Sequence, residues 1–185
     1  MEILVLSSDD VQKALPMAEA IEGMKRAYSR LSSGRVEMPL RSRVQIPEQE
    51  GVLLTMPAAL PDDSEMAVKL VTVFGKNPAR GFPLIHAAVL VLDTENGQIK
   101  ALMDGEVLTA VRTGAGVGAA TELLASTDAV SLGIIGSGKQ ACSQLDAVCT
   151  VRNIRQAWVY SPNLEHAQNF VEKMSGVGPI PKGIQ

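Results

Sequence analysis

A glycine turn in the second half of the chain has the residue types and spacing of a phosphate-binding loop. Gly136, Gly138 and Ala141 follow a short apolar run and lead into helical spacing. Gly136 can take backbone angles that a Cβ forbids. Gly138 lets the main chain approach a pyrophosphate, and a small Ala141 lets the helix pack closely on the strand. G-x-G-x-x-A between a strand and a helix predicts dinucleotide binding, although a glycine turn in another α/β protein has the same pattern.

Lys69 is the charged residue of an otherwise apolar run, Ala-Val-Lys-Leu-Val. On a strand it shares a face with Ala67 and Val71. Lysine is seldom buried without a partner, so one interpretation is an edge-strand lysine that reaches water. The other is a lysine that lines a pocket and serves carboxylate or imine chemistry. The residues alone favour the first interpretation.

Arginines at three positions could hold an anion, because a guanidinium binds carboxylate or phosphate in a two-pronged fashion. Arg112 begins a glycine-rich helix, where Thr113 lets a ligand come close. Arg41 and Arg43 lie two apart on a predicted strand and therefore share a face. Solvated surface arginines explain the same pattern. Candidate acids also occur, but no spacing selects one of them: Asp93, Asp104 and Glu106.

Composition excludes several classes of protein. A net charge of −3 provides no field for nucleic acid or an anionic membrane. No run approaches the ~18 apolar residues of a membrane span, and the N-terminus lacks the basic region of a signal peptide. Cys142 and Cys149 lie on one predicted helix about 10.5 Å apart, too far for a disulfide. We therefore expect two reduced core cysteines in a cytoplasmic protein. Because His86 and His166 are far apart in the sequence, we expect no zinc site.

Hydrophobic periodicity predicts an α/β chain with two domains, residues 1–125 and 126–185. Short connections predict a mostly antiparallel sheet in the first domain, and small residues in the helix that follows predict close packing against another helix or a cofactor. The predicted strands are 3–6, 41–46 (half-buried), 51–56 (ended by Pro57), 67–74, 86–93, 98–104, 130–135 and 156–160. The predicted helices begin near 11 and then span 17–33, 109–125, 139–148 and 163–174.

The second domain contains two strands and two helices by this pattern. A dinucleotide-binding half is βαβαβ, and a full domain has two halves. We therefore expect a truncated chain with a Rossmann-type domain. A minimal domain completed by a partner subunit is the alternative.

Together these stretches resemble the ornithine cyclodeaminase/μ-crystallin family. The Arg112-Thr113-Gly114-Ala115 block, followed about two dozen residues later by Gly-Ser-Gly-Lys-Gln-Ala, carries most of the resemblance. It extends over the chain to about Lys173 and includes these further segments: Met38-Pro39 to Arg41, the Lys69 strand, Asn77-Pro78 with Gly81, Asp93 to Gly97, and Leu108-Thr109.

The resemblance implies an α+β domain that binds substrate and dimerises, followed by a Rossmann domain that binds NAD(H) or NADP(H). Arg41, Lys69 and Arg112 match the family's substrate contacts, and Lys69 and Arg112 its catalytic positions. The cofactor contacts implied are Arg112, Thr113, Gly136, Gly138, Lys139, Gln140 and Ala141. The implied partners are a small amino or imino acid and a second copy of the chain, with no nucleic acid, membrane or metal.

The family chemistry is hydride transfer between a nicotinamide and an amino or imino carbon, by cyclodeaminases, alanine dehydrogenases or ketimine reductases. Two departures matter. The family's catalytic aspartate lies in the second Rossmann half, so we expect this chain alone to be inactive. An acid is expected near Ser161 for an NAD ribose, but none is present and no arginine replaces it for NADP, which leaves both dinucleotides open. The alternatives are a non-catalytic μ-crystallin-like binding protein and an unrelated Rossmann-type module.

Overall fold

The computed structural model describes residues 2–185, so Met1 of the predicted first domain lies outside it. The chain folds into two compact units. The first contains the chain up to Ala14 together with Tyr28–Thr109, and the second contains Leu15–Ala27 with Ala110–Gln185. The units therefore divide the chain at 109/110, inside a helix, whereas the predicted domains divide it at 125/126. The assignment of functions to residues 1–125 and 126–185 stays a prediction.

The observed elements follow the predicted order closely. In chain order they are β1 (Leu4–Leu6), α1 (Ser8–Ala14), α2 (Met17–Ser32), β2 (Ser42–Ile46), β3 (Gly51–Leu60), β4 (Glu65–Phe74), β5 (Ile85–Leu92), β6 (Ile99–Asp104), α3 (Gly105–Leu124), β7 (Ser131–Ile135), α4 (Lys139–Val151), β8 (Gln156–Tyr160) and α5 (Leu164–Met174). Three single-turn 3₁₀ helices lie at Pro47–Gln49, Pro61–Asp63 and Pro78–Arg80.

The first unit is built on a six-stranded sheet in the order β1-β6-β5-β4-β3-β2. Every neighbouring pair is antiparallel except β1 and β6, which are parallel. The mostly antiparallel sheet is therefore confirmed. Strand β2, expected to be half-buried, is exposed at all five residues. It lies at the edge of the sheet, and no helix in the described chain makes more than slight contact with it.

Strand β3 does not end at Pro57, as the sequence predicts, but continues to Leu60. The Ala59 N–H donates to the Glu37 carbonyl at 2.9 Å, so it faces away from β4. Pro57 lies two residues earlier and faces the same way. Its missing N–H therefore removes no hydrogen bond between β3 and β4, which is the setting in which a strand tolerates proline.

The second unit contains a parallel sheet, in which β7 pairs with β8 in the register Leu132–Ala157 and Ile134–Val159. A third parallel segment joins β8 at the end of the chain, where Ile184 forms a bridge with Ala157. The Gln185 N–H donates to the Ala157 carbonyl at 2.9 Å. The expected two strands and two helices are confirmed, and the bridge at Ile184 follows α5, where a βαβαβ half has its third strand. The core between sheet and helices contains Leu145, Ala157, Phe170, Met174 and Ile180.

Two glycines of α3 allow the close helix packing that the sequence predicts. A Cβ on Gly114 would lie 2.6 Å from the Ser143 carbonyl carbon of α4, and a Cβ on Gly118 would lie 2.7 Å from Ile21 Cδ1 of α2. Real Cβ atoms do not approach this closely, so a larger residue at Gly114 moves the backbone of α4, and one at Gly118 displaces the Ile21 side chain. The helical glycines cost helix propensity, and these two positions gain contact with neighbouring helices.

Arg152, which follows α4, caps the C-terminal end of α3. Its side chain is buried and donates to the backbone carbonyls of Thr121, Glu122, Ala125 and Ser126 at 2.8–2.9 Å. The last carbonyls of a helix have no partner within the helix, and a positive charge there opposes the negative end of the helix dipole. The arginine therefore satisfies the C-terminus of α3.

The two cysteines lie on α4 with free thiols, as predicted. Cys149 is buried, and this burial, with a smaller effect of the nearby Asp146 carboxylate, raises the pKa of its thiol to about 11. Within residues 2–185 no helix is both long enough and apolar enough to cross a membrane.

Candidate functional site

The predicted phosphate-binding turn lies at the carboxyl end of β7. Gly136 has φ +104°, a conformation that residues with a Cβ rarely adopt. Its N–H donates to the Tyr160 carbonyl at 2.7 Å, which ties the turn to the end of β8. Ala141 is buried in the core that α4 shares with the sheet. Strand, turn and helix therefore have the arrangement that the fingerprint requires.

Gly138 differs from Gly114, because no neighbouring atom of the described chain excludes a side chain at Gly138. A Cβ built on Gly138 would meet nothing within 4 Å, and its φ of −83° is open to any residue. No packing in the described chain therefore requires a glycine at this position. The space beside the turn is open, and a ligand that approaches the main chain there would be blocked by a side chain. This is the role of the second glycine in a pyrophosphate-binding turn.

The start of α4 differs from the start of α5 in its capping. No side chain caps α4 at Gly138, and its first turn contains no acidic residue. In α5, by contrast, the Asn163 side chain accepts from the His166 N–H. An uncapped helix start presents backbone donors and a positive dipole end to an anion. The turn and the first residues of α4, including exposed Lys139 and Gln140, therefore fit a dinucleotide pyrophosphate.

Lys69 does not lie on an edge strand, contrary to the interpretation that the residues alone favour. It lies in β4, between β3 and β5, and pairs with Met56 and Val89. The half-buried side chain donates from Nζ to Thr109 Oγ1 at 2.5 Å, and Thr109 Oγ1 donates to the Gly105 carbonyl. A central lysine held against the first turn of α3 can hold an anion on an apolar face, which favours the pocket interpretation.

Arg43 lies on the face of the sheet that also carries Lys69. It pairs with Leu54, which pairs with Val71, and Val71 shares a face with Lys69. Two strand spacings, about 10 Å, separate β2 from β4. Arg41 lies just before β2 and is exposed. The register thus places Arg43 and Lys69 on one face of the sheet. The predicted contact of Arg41 with the substrate stays a prediction.

Arg112 and Thr113 lie on α3, in the second unit. Arg112 is exposed and lines a cavity of about 270 Å³, together with Glu19, Met24 and Arg26 of α2. Thr113 is half-buried. Their predicted contacts with substrate and cofactor stay predictions.

Each of the candidate acids has a structural partner. Asp104 Oδ1 accepts from the Val107 N–H at 2.8 Å and so starts α3 four residues before the predicted Thr109. Asp93 pairs with Lys100 at 2.6 Å, and that contact, followed by the Glu95 N–H, lowers the pKa of the Asp93 carboxyl. Glu106 lies 3.7 Å from His86. None of these contacts marks one carboxylate as a catalytic acid.

Sequence reasoning missed a contact beside the turn. Ser137 Oγ donates to Ser161 Oγ at 3.1 Å, and so joins the Gly-Ser-Gly turn to the residue that follows β8. A cavity of about 250 Å³ lies beside this turn and is also lined by His166 and Lys173 of α5. The seven-residue spacing of these two side chains places them on one helix face and could have indicated a basic surface.

These features define an α/β protein whose second unit has the strand, glycine turn and helix of a dinucleotide-binding fingerprint. The chain belongs to the ornithine cyclodeaminase/mu-crystallin family, whose model matches residues 1–180. Among curated relatives, the Delta(1)-pyrroline-2-carboxylate reductase of Bacillus cereus is 33% identical over 170 residues, which are 92% of this chain and 52% of that protein. The chain thus spans about half the length of this curated relative and of a second reductase of the same name from another Bacillus cereus strain.

Solved structures give the same family. The Thermococcus litoralis Delta(1)-pyrroline-2-carboxylate reductase, in complex with NADH and L-proline, shares 42% identity and a TM-score of 0.89, over 98% of this chain and 56% of that chain. An archaeal alanine dehydrogenase dimer with bound NAD shares 31% identity and a TM-score of 0.88, over 100% of this chain and 56% of that chain.

Proposed function

We propose that this chain binds a nicotinamide dinucleotide at the Gly136–Ala141 turn and belongs to an oxidoreductase that acts on a small amino or imino acid. The observation that carries the proposal is the open space at Gly138, which no packing in the described chain explains, beside the uncapped start of α4. When bound, the dinucleotide supplies or accepts a hydride. The relatives solved with NADH or NAD support this role.

For the substrate we propose a cyclic imino acid or its amino acid product, held by its carboxylate. Arg41, Lys69 and Arg112 are the proposed contacts, because a positively charged donor binds a carboxylate more strongly than a neutral donor does. Holding the carboxylate fixes the position of the neighbouring carbon, an orientation effect that lowers the barrier. The pyrroline-2-carboxylate reductases among the relatives favour this class over ornithine or lysine cyclisation.

We also propose a homodimer that forms through the larger sheet. The face opposite Lys69 carries Val44, Val68, Leu70, Leu90 and Leu102, and each of these side chains is at least partly exposed. Neighbouring exposed apolar side chains on one face of a sheet are typical of an interface. The archaeal alanine dehydrogenase, described as a dimer, supports the same assembly.

Enzyme assays of the protein made from its own gene test this proposed activity. We expect it to oxidise reduced nicotinamide, followed at 340 nm, when Δ¹-pyrroline-2-carboxylate is added, and to show less change with pyruvate plus ammonia. Ammonia release from L-ornithine is the control for cyclodeamination. Dinucleotide binding without turnover of any of these compounds would favour the non-catalytic binding protein, and failure to bind either dinucleotide would contradict the proposed function.

A further inference from the structure

The cavity of about 250 Å³ beside the Gly-Ser-Gly turn has a basic lining. The turn and α4 contribute Ser137 and Lys139, and α5 contributes His166 and Lys173. The remaining lining residues are Gly138, Cys142, Asn169 and Phe170. Since no carboxylate among residues 2–185 lines it, the cavity suits a small anion better than it suits a neutral or positive group.

Ser161 places a hydroxyl group at the end of the second parallel strand, where dinucleotide-binding domains distinguish NAD from NADP. It directly follows β8, the second parallel strand, and it accepts a hydrogen bond from Ser137 in the turn. In dinucleotide-binding domains an Asp or Glu near this point bonds the 2′-hydroxyl of an NAD ribose. A carboxylate there also repels a 2′-phosphate, whereas the Ser161 hydroxyl, which accepts from Ser137, can donate to one.

The acidic residues of α5 do not reverse this balance. Glu165 and Glu172 are exposed, and neither lines the cavity. Asp146 of α4 does not line it either. A group that carries about two negative charges, such as a phosphate monoester, therefore meets Lys173 and His166 in a cavity that none of these carboxylates lines.

We propose that this chain selects NADP(H) over NAD(H), with the adenosine 2′-phosphate in the cavity that Ser137 and Lys173 line, next to Ser161, which bonds Ser137. This inference rests on the proposed function, because it concerns the same dinucleotide. It assigns Ser137, Ser161 and Lys173 as the residues that decide which dinucleotide binds.

Two titrations of the 185-residue chain test the selection. In the first, NADPH and NADH are titrated separately and the reduced nicotinamide fluorescence is followed. In the second, adenosine 2′,5′-bisphosphate and adenosine 5′-monophosphate are compared by calorimetry, which needs no nicotinamide. We expect the 2′-phosphorylated ligand of each pair to bind at least about 10-fold more tightly, since charge-assisted hydrogen bonds are the strong ones.

Variants separate the roles of the individual residues. Lys173→Gln should weaken NADPH binding several-fold and leave NADH binding unchanged, whereas a structural defect would weaken both. Ser161→Asp should reverse the preference toward NADH, and Ser29→Asp, which adds the same charge to an exposed position on α2, should not. Equal affinity of the wild-type chain for NADPH and NADH would overturn the selection and leave the proposed function standing. Binding of neither would contradict both.

Discussion

Lys69 Nζ donates to Thr109 Oγ1 at 2.5 Å, so a charged group on a central strand is held by the first turns of α3. The strand order places Met56 and Val89 beside the lysine on the same face. The side chain of a lysine in such surroundings has less conformational freedom than the side chain of a lysine on the surface. A positive charge fixed on an apolar face can be positioned for a substrate carboxylate.

Replacing Lys69 should remove the affinity for that carboxylate. A hydrogen bond to a charged group contributes about 1.5–3 kcal/mol, so Lys69→Met should weaken L-proline binding by about 10- to 100-fold, as measured by calorimetry on the protein from its own gene. Thr109→Val should have a smaller effect, because it acts through the lysine, and Thr109→Ser should restore most of the affinity. Unchanged L-proline affinity in Lys69→Met, with a native circular dichroism spectrum, would rule out this role.

Removing the guanidinium of Arg152 should destabilise the protein. Arg152→Met leaves the carbonyls at the end of α3 without their buried donor, and buried polar groups that lose a partner cost about 1–3 kcal/mol. We expect the free energy of unfolding in urea to fall by about 2–4 kcal/mol in total. Arg155→Met is the matched control, because Arg155 is exposed a few residues away. Equal losses in the two variants would show that the bonds to the α3 carbonyls contribute little.

The raised pKa of Cys149 should make stability depend on alkaline pH. The ordinary pKa of a cysteine thiol is 9.0, and burial raises the pKa of Cys149 to about 11 in the folded chain. Between these values the unfolded state loses the proton that the native state keeps, so the free energy of unfolding falls as pH rises from about 9 to 11. Below pH 9 this thiol contributes no pH dependence.

Urea midpoints of unfolding between pH 8 and pH 10.5 measure this effect. Wild-type protein and Cys142→Ala should lose more stability over that range than Cys149→Ala, whatever the absolute stability of each variant. The same slope in all three proteins would mean that Cys149 is not protected from ionisation.

The βαβα segment from β7 to α5 could be predicted closely from the sequence. Strand β8 has the predicted bounds, Gln156–Tyr160, and α5 begins one residue after the predicted Asn163, which is its N-cap. Here local rules suffice: short apolar runs, a glycine turn and a capping residue all act within a few residues. The glycine turn of the candidate site follows from the same local signals.

Features that depend on distant partners could not be predicted. The tolerance of Pro57 depends on which way its neighbours point in the sheet, and the environment of Lys69 depends on a strand order that the sequence does not show. Arg152 bonds carbonyls 26 to 31 residues earlier in the chain. The Ser137–Ser161 contact joins two loops through a parallel pairing. In each case the missing information is tertiary.

The most direct test of the central claim is a titration of NADPH and, separately, of NADH into the 185-residue chain and two single-methyl variants, followed by reduced nicotinamide fluorescence. Gly138→Ala fills the open space at the turn, and Gly133→Ala adds the same methyl group to the exposed face of β7, where a Cβ also meets nothing within 4 Å. Both should keep the free energy of unfolding within about 1 kcal/mol of wild type. We expect wild type and Gly133→Ala to bind equally and Gly138→Ala at least about 10-fold more weakly, because the methyl group displaces the pyrophosphate. Absence of binding of both dinucleotides by the wild-type chain, or undiminished binding by Gly138→Ala, would contradict the claim that the Gly136–Ala141 turn holds the dinucleotide.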